Sequence, residues 1–575
     1  MKNPELVYRM KNRSSLLVAI LCLYFSQNFA TAQEKISKYP QDYFRNPLDI
    51  PISLAGNFGE CRPNHFHSGL DIKTEGRENL VVRAAAEGYV SRMKIEKGGF
   101  GHALYITHPN GFTTVYAHLN DFNPALQKFL RKQQYEKQSW TVDVILSPEE
   151  FPVKKWEQIA WSGNTGGSAG PHLHFEIRDT ETEHPLNGAL FGLDIKDTQP
   201  PIPTEIALYN LNKRFYEQSP TYYKLTKQGN KYAIKDSVKA YGTHVGISIA
   251  VNDFMNGSTN TLNFYEAKWY KDDVLQGSIT LDDIGYGATR YLHAYADYKT
   301  KKLKNTWFQC LFKMKGNALN IYENMNPVKG AMELESGKQH LIRIELTDAF
   351  NNTAVVEFKL WGFPDLQEDS CENLLPYNQP KKWQPYTNLQ INFSDKVFYD
   401  DVCFNLSKKS DASLFSERYK IGETYIPAHD YFTIKIKPNK PVPFTLRNKI
   451  AMIYNNGKSE SGKAAVWENA WYTAKVRNFG EYYLKTDTTA PTLQNLQKHQ
   501  DLSKASAIRF AVKEETTSIK EFRAEVNGKW LLFEPFGGVY VYKLDEHFPK
   551  GKHEIVVRVK DENENERVGR YQFVR

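Results

Sequence analysis

The chain has 575 residues, 41% of them apolar and 24% charged, which excludes wholesale disorder and implies several domains rather than one. Lys and Arg number 74 against 66 acidic residues, and the resulting formal charge of +8 is too small and too dispersed to support a nucleic-acid partner. Aromatic residues reach 13%, a bias that suits half-buried pleated sheets, so the expected fold class is mainly β. No apolar run is long enough to predict a transmembrane segment.

In chain order, Lys11 and Arg13 precede an apolar run from Leu16 to Phe25, and the small-residue site Ala30-Thr31-Ala32 follows. A basic stretch, a short apolar core and an A-x-A site read as a secretory signal peptide over residues 1–32. The mature chain is therefore expected from Gln33 onward, exported to the periplasm or cell envelope, or secreted. Cys22 follows Leu21 inside the apolar core, without the small residue that a lipid-anchoring site wants. No C-x-x-C occurs among Cys61, Cys310, Cys371 and Cys403, so no thiolate zinc knuckle is expected. Cys371 and Cys403 are close enough in sequence to pair, and a disulfide or two free thiols fit equally.

Histidines then concentrate between His65 and His184, with His67, His102, His108, His118, His172 and His174 between them. Imidazole is a common metal ligand and proton shuttle, so this density calls for a metal hypothesis. In His67-Ser68-Gly69-Leu70-Asp71, an extended chain puts His67 and Asp71 on one face with a glycine between them. In Thr113–Leu119, a second strand is expected to carry Tyr116 and His118 on a common face, paired with Ala103–His108 as a hairpin through Pro109-Asn110-Gly111. In Pro171–Arg178, Leu173, Phe175 and Ile177 fill one face and leave His172, His174, Glu176 and Arg178 on the other. The glycine-rich stretch Gly163–Gly170 precedes that strand, with no Lys-Ser/Thr to make a phosphate loop.

Together, Phe58-Gly59, His67-x-Gly-x-Asp71, Gly88-x-Val90, Gly99-Phe100-Gly101, Tyr116-Ala117-His118-Leu119, Ser162–Gly166 and Gly170–Glu176 resemble, in order, the lysostaphin/LytM-type zinc metalloendopeptidases that hydrolyse peptidoglycan. The resemblance covers residues 50–178. It implies an antiparallel β-sheet peptidase domain in which His67, Asp71 and His174 hold one Zn2+ ion, with His118 and His172 as catalytic residues facing substrate and water. Three N/O ligands leave a position open for water, as a catalytic rather than a structural zinc requires. Without H-E-x-x-H there is no helix glutamate to act as base, so the spare histidines must handle protons. Glu176 reads as a partner of His174, and His65, His102 and His108 as surface or hydrogen-bonded histidines. Trp156 stands where the family usually has a turn glycine. Residues 123–152 are an insertion, with a helix over Ala125–Lys137 followed by a strand. It is either a peripheral addition or a wall of the substrate groove, with Lys128, Arg131 and Lys132 meeting an anionic polymer.

Further boundaries fall at Lys196–Pro203, Pro376–Pro385 and Asp487–Pro491. They give a peptidase domain over 40–195, an immunoglobulin-like β-sandwich over 200–365, a β-rich domain over 386–486 and a second immunoglobulin-like β-sandwich over 487–575. Gly337–Asp348 and Gly551–Asp561 repeat one turn-and-strand pattern, predicting Ile344 and Val557 to be buried at equivalent places. The expected function is an exported zinc endopeptidase cutting peptidoglycan peptides as a D,D-endopeptidase, with envelope-protein partners reached through the C-terminal domains. The alternative is a non-catalytic wall-binding or hydrolase-activating protein of the same fold.

Overall fold

The structure is a computed structural model and describes residues 38–365 and 370–575, so the segment read as a signal peptide lies outside the described residues. The first unit contains β1 (Leu54–Gly56), β2 (Leu70–Lys73), β3 (Val81–Arg83), β4 (Gly88–Ile95), β5 (His102–Thr107), β6 (Phe112–Ala117), β7 (Leu119–Phe122), α1 (Pro124–Lys137), β8 (Val142–Ile145), β9 (Pro152–Val153), β10 (Gln158–Ser162), β11 (His172–Asp179) and β12 (Pro185–Leu186). An antiparallel sheet runs β1-β2-β11-β6-β5-β4-β8, and a small sheet β3-β10-β7 lies apart from it. Alternation on β11 buries Leu173, Phe175 and Ile177 completely in the domain core, where Tyr116 of β6 joins them. In the antiparallel register Phe175 opposes Tyr116 and His174 opposes Ala117, so the two faces of the sheet are set by sequence.

Every later unit is built of paired sheets around a shared core. In residues 202–363, Ile206 and Ile247 from one sheet pack with Trp269, Ile342, Ile344 and Val356 from the other. In residues 374–486, Leu389, Ile434 and Tyr472 face Tyr419, Met452 and Leu484. In residues 492–574, Phe510 and Tyr542 face Ala524, Val557 and Val559. Ile344 and Val557 are both 0% exposed. Cys371 and Cys403 form a disulfide, while Cys61 and Cys310 are free. Among the described residues, no helix is long and apolar enough to cross a membrane.

The proline-rich stretch expected to be a break before residue 386 is partly strand. Lys381–Tyr386 pairs with Leu389–Phe393 as the edge of its sheet, and the register slips between Trp383 and Tyr386. An edge position with an irregular register tolerates Pro385, which has no N–H to contribute to a ladder.

The insertion does form a helix, capped by the Asn123 side chain accepting from Leu126 N at 3.1 Å, with Leu126 and Leu130 buried. None of its residues lines the cleft that holds His67, Asp71 and His174. The helix docks on the last unit: Tyr135 stacks on His547 at 3.6 Å between ring centroids, Arg131 meets Asp545 at 3.3 Å and Arg523 donates to the Gln138 side chain at 2.8 Å.

Candidate metal centre

β2 and β11 are antiparallel neighbours, and their register places Asp71 directly opposite His174. His67 arrives from the loop before β2. Its Nε2 lies 2.9 Å from Asp71 Oδ1 and 3.1 Å from His174 Nδ1, and His174 Nδ1 lies 2.9 Å from Asp71 Oδ1. Gly69 permits this closeness, because a Cβ there would come within 2.5 Å of the Phe175 carbonyl and 3.1 Å of His174 Nε2. The two nitrogens and one carboxylate oxygen form a donor set of the type that holds a divalent transition metal.

Each imidazole is oriented by the nitrogen that faces away from the centre. His67 Nδ1 donates to the Asn57 carbonyl at 2.8 Å, and His174 Nε2 donates to Glu176 Oε1 at 2.9 Å. Such partners fix the tautomer and leave the opposite nitrogen for a metal. Asp71 Oδ2 accepts from Arg62 at 3.1 Å, which leaves Oδ1 as the oxygen turned to the histidines. Burial works against charge on His174, but its hydrogen bonds to Asp71 and Glu176 outweigh that and lift its pKa to about 9. Asp71 is held well below the usual carboxylate range, against its burial, by His67 and by hydrogen bonds from His172, His174 and His67. A proton on His174 thus stands where a cation would bind.

His118 and His172 lie beside this set, with ring centroids 4.7 Å apart. His118 Nδ1 donates to the Thr165 carbonyl and His172 Nδ1 to the Gly170 carbonyl, each at 2.8 Å. The glycine-rich stretch is therefore the support of both rings. It is latched in turn where Gly167 N donates to Gly99 O at 2.9 Å and Thr165 Oγ1 accepts from His102 N at 2.9 Å. His118 does not share a face with Tyr116, as strict alternation predicts. Its φ of +57° reverses the chain after β6 and swings the ring from the core to the site. Burial, and then the neighbouring His174 and His172, push the His118 pKa down to about 3, so its imidazole is neutral.

Glu176 and Arg178 are buried, not presented to solvent. Glu176 accepts from His174, from Ser68 Oγ at 2.5 Å, from Arg178 Nε at 2.6 Å and from Tyr286 OH at 2.7 Å. Both its oxygens are so committed, and Arg178 and His174 chiefly hold its pKa down to about 2 against burial, so it serves as a partner of His174 and presents no free oxygen to the cleft. Tyr286 belongs to the second unit, and no motif singled it out. The loop that carries His67 is anchored there too. Phe58 and Phe66 lie in the second unit's core, Asn57 exchanges hydrogen bonds with Asn263 at 2.8 and 2.9 Å, and Phe66 N donates to Thr289 Oγ1 at 2.9 Å. A cleft of about 820 Å³ opens over the centre, lined by Arg62, Lys73, Phe100, Ser168, His172 and Tyr286 among others, and by no residue of the 123–152 insertion. His102 and His108 are hydrogen-bonded, to Asn120 O at 3.1 Å and to Glu87 O at 2.7 Å, and take no part.

Residues 65–137 match Peptidase family M23, and residues 372–487 match the Zu5-like domain. The chain thus carries an M23 (LytM-type) peptidase domain followed by β-sheet units. Over 126 residues it is 34% identical to the DD-carboxypeptidase/endopeptidase Mpg of Neisseria meningitidis serogroup B, covering 22% of this chain and 23% of that protein. Over 157 residues it is 31% identical to an uncharacterized metalloprotease of Haemophilus influenzae, covering 27% of each. The chain spans about a quarter of the length of these curated relatives. Among solved structures, it is similar to the catalytic domain of lysostaphin from Staphylococcus simulans, at 25% identity over 21% of this chain and 76% of that one, with a TM-score of 0.15.

Proposed function

We propose that the protein is an exported zinc metalloendopeptidase that hydrolyses peptide cross-links of peptidoglycan, as a D,D-endopeptidase. The observation that carries this reading is the convergence of His67 Nε2, Asp71 Oδ1 and His174 Nδ1 beside two further histidines that no ligand role requires. Zinc held by His67, Asp71 and His174 would supply Lewis acidity, polarising the scissile carbonyl and acidifying a water molecule. The protein's own groups do the rest. His118, with Nδ1 tied to Thr165 O, lines the cleft and is the group placed to orient the attacking water and take up its proton. His172 presents Nε2 3.4 Å from Asp71 Oδ1, where it can steady the developing oxyanion, and the proton taken up by His118 passes to the leaving amine. Arg62 and Lys73 at the rim suit the free carboxylates of stem peptides that end in D-amino acids.

The Neisseria relative's name, DD-carboxypeptidase/endopeptidase, supports the same bond class. The test is digestion of purified peptidoglycan by the mature protein, with and without a chelator. Cleavage that a chelator stops and zinc restores is expected. No cleavage by intact, zinc-loaded protein would turn the reading to a non-catalytic wall-binding protein.

A further inference from the structure

Two further groups of three carboxylates occur away from the histidines. One oxygen from each of Asp197, Asp253 and Asp348 lies within 4.8 Å of the other two, and Asp487, Glu514 and Asp561 meet the same limit. The groups occupy matching places in two different units. Asp197 and Asp487 each open an Asp-Thr-x-Pro/Ala-Pro segment leading into a first strand, Ile202–Asn210 or Thr492–Asn495. Asp253 and Glu514 each follow directly on a strand, His244–Asn252 or Ala507–Lys513. Asp348 directly follows the repeated strand Gln339–Thr347 and Asp561 ends its counterpart Lys552–Asp561, each at the mouth of the following turn.

The hydrogen bonding around them is also the same. Asn352 Nδ2 donates to Asp348 Oδ2 at 2.7 Å and to Asp197 O at 3.3 Å, while Asn565 Nδ2 donates to Asp561 Oδ2 at 2.7 Å and to Asp487 O at 3.0 Å. The backbone N–H groups of Asn352 and Asn565 donate to the other oxygen of their aspartates at 2.9 and 2.8 Å.

A separate observation says that each group lacks something. Asp253 and Asp487 are each only 2% exposed, yet Oδ1 of each has no hydrogen-bond partner, and Asp197 Oδ2 is likewise buried without one. Among the described residues, no Lys, Arg or His pairs with any of the six carboxylates. Buried, unpartnered carboxylate oxygens held against like charges are strongly disfavoured, and native structures rarely leave them so. The donors are all oxygen, with no imidazole or thiolate, which selects a hard cation over zinc.

We propose that each group binds one calcium-class divalent cation and that the two sites lock the junctions between units. The first group closes the loop Asp253–Leu262, whose Met255 and Leu262 lie in the peptidase core and whose Ser258 accepts from Lys73 of β2 at 2.8 Å. A cation there stiffens the strand that carries Asp71. The second group sits beside the turn whose Asn563 carbonyl accepts from Lys449 of the preceding unit at 2.8 Å.

The test is equilibrium dialysis of the zinc-loaded, calcium-free full chain against radiolabelled calcium, beside Asp253→Asn, Glu514→Gln and the double variant. Two calcium ions per chain are expected for the unmodified protein, one for each single variant and none for the double variant, with zinc content unchanged throughout. Calcium should also raise the thermal midpoint of the unmodified protein and leave that of the double variant unmoved, which separates lost binding from lost folding. No binding at millimolar calcium by the intact protein, or unchanged stoichiometry in the double variant, overturns the proposal.

Discussion

His118 and His172 are held by backbone carbonyls of one glycine-rich loop, whereas His67, Asp71 and His174 touch one another directly. Under the proposed function, this division separates proton handling from metal binding. His118→Ala and His172→Ala are each expected to abolish cleavage while zinc content by elemental analysis stays at one per chain. Loss of zinc from either variant would contradict the assignment. The proton lodged on His174 gives a second prediction. Below its pKa of about 9, zinc must displace that proton, so apparent zinc affinity should fall about tenfold for each unit the pH drops. Calorimetry in buffers of different ionisation enthalpy should show close to one proton released per zinc at neutral pH. The proposed ligands His67, Asp71 and His174 were legible through the ordered set of motifs that resembles the LytM-type peptidases, because the His67–Asp71 spacing alone reads as well as a surface turn. The orientation of His118 was not, because a left-handed residue at a strand end breaks the alternation on which such reading depends. Trp156 shows the converse: it adopts φ of +78° at a turn where glycine was expected, with the Arg45 guanidinium lying over its ring.

On β11 the apolar Leu173, Phe175 and Ile177 alternate with His172, His174, Glu176 and Arg178 although both faces are largely buried, and the helix of the insertion follows the spacing of Leu126 and Leu130. What periodicity does not give is the partner of an outward face. Lys128, Arg131 and Lys132 read first as a solvated face, with a polymer-facing wall as the alternative, and the structure instead places Arg131 and Tyr135 against Asp545 of the last unit. Asp545 also accepts from Tyr542, so it ties its own unit together at the dock. Asp545→Ala leaves these donors unpaired and should cost about 1–3 kcal/mol. It should also expose the Pro124–Lys137 helix to limited proteolysis while leaving zinc bound. Unaltered proteolysis would mean that the helix does not depend on this contact.

At the scale of the whole molecule, the peptidase domain does not complete its own site. Phe58 and Phe66 from the loop leading to His67 are buried in the second unit, and Tyr286 of that unit closes the hydrogen-bond shell of Glu176. These contacts join residues far apart in sequence through no repeated motif, so they were invisible before the chain was folded. Phe66→Ala in the full chain should destabilise it by about 3–5 kcal/mol. It should also weaken zinc binding, although Phe66 touches no ligand atom, and zinc affinity unchanged in a destabilised protein would show that the loop holds its geometry unaided. Under the proposed function, these parts together form a zinc peptidase acting on cross-linked peptidoglycan. Mass spectrometry of muropeptides after digestion by the zinc-loaded protein decides this. Conversion of D-alanyl-diaminopimelate cross-linked dimers to monomers, absent in His174→Ala, is the predicted result. Dimers left intact by a folded protein carrying one zinc would contradict it.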